Sequence, residues 1–178
     1  MDVTKVDAAK SQLATAIWLY FEDRDPISVH TLVHAASEII DRLCDAKGLR
    51  SMRASMLDSI KPEYRKMVAD KLNTPANFFK HAATSKPDQV LRDFNEDRNL
   101  LAILQATDGL RLLGIDAPHA KIFGKWIAFV EPTLLLNPPP REQVVRIFGE
   151  IWEQPRAEQK KVARDALSLE LTGKLPNA

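Results

Sequence analysis

His30, His34 and Glu38 stand at i, i+4 and i+8 in the segment DPISVHTLVHAASE, residues 25–38. On a helix that spacing keeps the three near one face, where imidazole nitrogens can be offered to a metal ion. A second group follows in Asn77-Phe-Phe-Lys-His81, where the paired phenylalanines should anchor the segment and hold Lys80 and His81 beside them. Such residues close to helix ends suit a small anion, because helix N-termini present unpaired N–H groups. The expected anion-binding set is therefore Asn77, Lys80 and His81, and the candidate metal ligands are His30, His34 and His81. A helical wheel orders these readings. With Val29, Val33, Ala36, Ile40 and Leu43 as the core direction, at about 100° per residue, His30 falls at the core boundary. His34 lies further out and Glu38 points away, so both are expected in solvent, and no resident metal or other cofactor is expected.

Other chemistries are excluded by what is missing. The six glycines are scattered, so there is neither a P-loop nor a dinucleotide fingerprint. H-E-x-x-H, a zinc-binding cysteine pair, Glu-x-x-His and G-x-S-x-G are all absent. Cys44 is the single cysteine, so no intramolecular disulfide forms, which favours a reducing compartment. It reads as core packing. His119, in an Asp-Ala-Pro-His turn, reads as structural.

Lys and Arg number 25 against 24 Asp and Glu, a formal net charge of +1, and no global field draws the chain to nucleic acid or membrane. A basic excess between Lys47 and Lys71 has no interleaved exposed aromatics and reads as a solvated face. The first residues mix charges and lack an apolar signal region. The most apolar stretch, Ile122 to Leu136, is interrupted by Gly124, Lys125, Glu131 and Pro132, which argues against a spanning helix. A cytoplasmic protein with no membrane partner is expected.

The elements that must position these residues read as helices throughout. Apolar spacing predicts a helix from about Val6 to Phe21 and a second from Pro26, capped by Asp25, to about Lys47 with Gly48 as its stop. Shorter helices follow between Leu49 and Asn73, one opening at Pro62, with a break and restart at Asn73-Thr74-Pro75 and a polar loop at Thr84 to Asp88. A helix over 96–113, capped by Asn95 and stopped by Gly114, carries Leu100, Leu101, Leu104, Leu110 and Leu113 as a buried face. Another is expected over 118–130, though its β-forming residues leave strand open there. Two more, 141–153 and 156–171, are separated by Pro155. The expected fold is an all-α bundle of roughly seven to nine mostly short helices. Residues 1–136 form the main bundle and 137–140 a proline-rich connection. Residues 141–178 form C-terminal helices, in a hairpin packed on the same domain.

Two resemblances bear on function. Arg24-Asp25-x4-His30 resembles the R-polar-x4-H signature of the HEPN superfamily, all-helical domains many of which are ribonucleases or toxin and defence components. The resemblance implies that Arg24 and His30 meet across a homodimer and cut RNA without metal. The histidine would take a proton from a 2′-hydroxyl and the arginine would steady the pentavalent phosphate. The phrases DPISVHTL (25–32), ANFFKHA (76–82) and VLRDFNED (90–97) resemble a group of small uncharacterised bacterial helical proteins, a likeness that brings no activity with it. The expected function is a helical binding or regulatory module for a partner protein or a small anionic ligand. The alternatives are the HEPN-like ribonuclease and, after it, a metal-binding helical protein.

Overall fold

The computed structural model describes residues 1–80, 89–92, 94–134 and 140–175. His81, the expected loop at Thr84 to Asp88 and most of the proline-rich connection lie outside the described residues. Eight α-helices are present among those described, with no strand, so the fold is all-α.

Local chemistry sets the helix ends. Helix α1, Lys5–Phe21, opens with a capping box in which the Thr4 hydroxyl accepts from the Asp7 N–H at 3.1 Å. It closes with the Arg24 N–H on the Leu19 carbonyl at 2.9 Å, and Asp23 takes the left-handed position that glycine usually fills (φ 50°). Helix α2, Pro26–Ala46, starts with proline in its first turn, while the Asp25 carboxylate accepts from the Ser28 N–H at 2.9 Å. Gly48, at φ 67°, turns the chain away.

Helices α3 (Met52–Asp58), α4 (Pro62–Lys80), α5 (Asp97–Leu112) and α6 (Pro118–Val130) follow, then a 3-10 turn at Pro132–Leu134. Helices α7 (Arg141–Phe148) and α8 (Arg156–Leu171) complete the order. The core lies where α1, α2, α5, α6 and α8 meet, around Ile17, Val33, Ile103, Phe123, Trp126 and Leu167, each fully buried. Burial of a side chain of this size is worth about 1.5–3 kcal/mol. Phe21, Phe123 and Trp126 form one aromatic cluster, and the Trp126 indole N–H donates to the Gln159 carbonyl at 3.1 Å, tying α6 to α8.

Three expectations change and one, the helix over 118–130, holds. Helix α4 runs through Asn73-Thr74-Pro75 without a break. Proline denies the Lys71 carbonyl its N–H partner, but Pro75 and Ala76 are buried, and packing on α2 outweighs the lost bond. On α5, Leu104, Leu110 and Leu113 are buried as expected, but Leu101 is exposed and Ile103 takes a place in the core. Residues 118–130 are helical despite their β-forming composition, because Ile122, Phe123, Trp126 and Ile127 all find buried places. Helix α7 stops at Phe148, since Gly149 adopts φ 70° and brings Ile151 back into the core.

Candidate functional site

Helix α2 is covered on one side by α1 and α5 and on another by α4. That double cover decides the fate of its histidines. His30 is 1% exposed and His34 only 7%, so the expectation that His34 is solvated is corrected. The wheel took a single core direction and so left α4 out. Glu38, one turn further on, does point to solvent, and its carboxylate accepts from the Lys80 ammonium at 3.0 Å.

The His30 ring has a defined tautomer. The Asn99 amide nitrogen donates to the Pro26 carbonyl at 3.0 Å, which fixes which end of that amide is oxygen. The Asn99 Oδ1 then faces the His30 Nδ1 at 2.8 Å and can only accept, so Nδ1 carries the proton. His30 Nε2 is left with a lone pair, and it is buried with no hydrogen-bond partner among the described residues. Phe79 and Phe94 stand edge-on around the ring at centroid distances of 5.9 and 5.2 Å, and the His34 ring lies at 4.3 Å.

Burial pushes the His30 imidazole below the usual range, partly offset by the Asn99 hydrogen bond, with Arg98 and Lys80 adding to the depression. His34 is pushed down to about 3, by burial first and then by His30, Arg53 and Lys80. Both rings are neutral at physiological pH.

His34 also lines an open cleft of about 530 Å³. Its walls include Glu38, Asp41 and Arg42 from α2, Arg53 from α3 and Asn73 from α4. The Arg53 side chain is 16% exposed. It donates to the Asn73 Oδ1 at 2.6 Å, and its nearest carboxylate, Asp41, is 3.9 Å away. Burial pushes the Asp41 carboxyl up, against the Ser51 hydroxyl and Arg53, which lower it. Sequence reasoning counted Arg53 only as part of a basic run, and it did not single out Asn99. No spacing rule marks either one, since each matters through contacts between distant helices.

The remaining candidates are dispersed. Asn77 is exposed and lies outside the cleft wall, while Lys80 is committed to Glu38. Arg24 is 66% exposed on its side chain and sits 3.6 Å from Glu22. It lines a separate cleft with Tyr20, Asp23, Asn99 and Lys160, so Asn99 is shared between that cleft and the His30 contact. His119 is half-buried in the first turn of α6, and burial lowers its pKa. Cys44 is fully buried, and burial pushes its thiol up.

In the basic run, Arg50 pairs with Asp58 and Lys66 with Asp70, while Arg65 donates to the Ile60 and Asp58 carbonyls. Tyr64 is exposed within the run, which corrects the expectation that no exposed aromatic interrupts it. Among the described residues no three histidine, cysteine, aspartate or glutamate side chains converge, and no helix is long and apolar enough to cross a membrane. A scan against protein-family models and searches of curated proteins and of solved structures each returned no match.

Proposed function

We propose that this chain is a helical binding module that takes a small anionic ligand, a carboxylate or a phosphate, in the cleft between α2, α3 and α4. The observation that carries the reading is Arg53. Its guanidinium is largely buried in the cleft wall and has five N–H donors. Among the described residues its one short contact is the neutral amide oxygen of Asn73. A buried cation whose nearest carboxylate is 3.9 Å away leaves donors that a planar oxyanion can fill in pairs.

The neighbouring charges are consistent with this. Lys5, Arg42 and Arg53 line the cleft with Glu38, Asp41 and Asp45, and Glu38 is neutralised by Lys80, which leaves the cations in slight excess. The expected centre of anion binding thus moves from Lys80 to Arg53. The ribonuclease reading asks His30 to meet RNA at an open face, and the burial of its ring favours binding instead.

Titration with inorganic phosphate and with succinate, followed by thermal unfolding and calorimetry, tests the reading. At a ligand concentration of about 100 Kd, binding should stabilise the fold by about 2.7 kcal/mol. Arg53→Ala should abolish the effect of the binding anion, and Arg53→Lys should weaken it, while Arg24→Ala leaves it unchanged. If neither anion stabilises the wild type, or if Arg53→Ala responds like wild type, the reading is wrong.

A further inference from the structure

We propose a second site on different side chains: His30 and His34 together form a two-nitrogen site for a divalent transition-metal ion of the imidazole-preferring kind, such as zinc. The first support is the lone pair on His30 Nε2, buried and unpaired among the described residues. Leaving such an acceptor unmet costs about 1–3 kcal/mol, so something that accepts its electrons would stabilise the fold.

The second support is what stands behind the ring. A histidine that ligates a metal ordinarily donates its other N–H to a fixed oxygen, which sets the tautomer and the ring's aim. Here the Asn99 Oδ1 takes the Nδ1 proton, and the Pro26 carbonyl in turn holds Asn99. Third, His34 follows one helical turn later on the same rigid helix, with its ring 4.3 Å from that of His30. Two neutral imidazoles one turn apart are a common metal-binding pair, each ligating at about 2.0–2.1 Å.

A bound water is the competing occupant. It needs two to four polar partners, whereas Phe79 and Phe94 line the His30 ring. His34 also lines the open cleft, which gives the ion a way in, and coordination positions not filled by the histidines go to water or to an anion from that cleft.

The test uses the full chain, stripped with chelator and titrated at neutral pH with Zn²⁺ by calorimetry. Long-range proton–nitrogen NMR of the imidazoles is recorded alongside. Wild type should bind one zinc per chain, with the His30 Nε2 and His34 nitrogen resonances shifting together. His30→Gln and His34→Gln should each weaken binding at least about tenfold, and Asn99→Ala by about 10–100-fold. Asn99→Asp, which keeps an oxygen on Nδ1, should retain binding.

Arg53→Ala, measured in buffer free of phosphate and succinate, should not weaken zinc binding, because it removes a positive charge acting on His34. Loss of anion binding with zinc binding kept separates this site from the anion reading. Circular dichroism on each variant establishes that it is folded, and where a glutamine variant is not, the wild-type nitrogen resonances decide. The proposal is overturned if zinc binds equally well to both glutamine variants, or if zinc leaves the His30 and His34 nitrogens unmoved.

Discussion

Removing the Asn99 amide strands two buried partners at once, the Nδ1–H of His30 and the carbonyl of Pro26. Asn99→Leu keeps the volume apolar but satisfies neither, so it should destabilise the fold by about 2–4 kcal/mol, read from the urea midpoint. Adding His30→Leu removes one stranded donor, so the double variant should lose less than the sum of the two singles. Strict additivity would mean that the hydrogen bond is energetically idle. Residue type and spacing pointed to His30 but not to its partner, which lies 69 residues on. Asn99 reads as a polar residue in the first turn of a helix, beside the capping Asn95. Only the approach of α5 to α2 gives it a role. His34 was misread for a related reason, since periodicity along one helix reports its strongest apolar face and is silent about a second helix lying across its flank.

Between elements, α2 and α5 approach closely at Gly109, which permits the contact. A Cβ there would stand 2.3 Å from the Ile40 Cγ2. Gly109→Ala should therefore force the two helices apart and cost about 1–3 kcal/mol, despite the better helix propensity of alanine. Gly124, inside α6, makes the matched control, because a Cβ there meets the Thr107 Cγ2 at an ordinary 3.7 Å. Gly124→Ala should stabilise by about 0.4–1 kcal/mol. Thermal unfolding of both variants compares them directly, and equal signs would refute the account of the interface. The helices themselves were largely legible, because the Asp25 cap and the Gly48 and Gly114 stops are local signals. Pro75 was not, because a local breaker was overruled by the burial of α4 against α2.

At the scale of the whole molecule, enclosing two histidines makes stability depend on pH. His34 is faced by His30, Glu38 and Asp41 from its own helix, by Arg53 from α3 and by Lys80 from α4. Its folded pKa, about 3, lies below its unfolded value of about 6.5, and that of His30 is also lowered. The stability linked to the neutral rings is therefore complete above pH of about 6.5. As pH falls below that value the unfolded chain takes up protons first, and stability drops by up to about 1.4 kcal/mol per pH unit for each histidine. Asp41 works the other way, since its raised folded pKa lets the native state bind a proton earlier. The lowered carboxyls of Asp7 and Asp25 add their own loss only below about pH 4. Between about pH 4 and 6.5 the histidines should dominate the slope. Urea unfolding of the chelator-treated protein across that range should show stability falling with acid, and His34→Gln should flatten the fall by up to one proton's worth. An unchanged slope in His34→Gln would mean that the ring is not held neutral by the cover of α4, and the enclosure inferred for α2 would have to be abandoned.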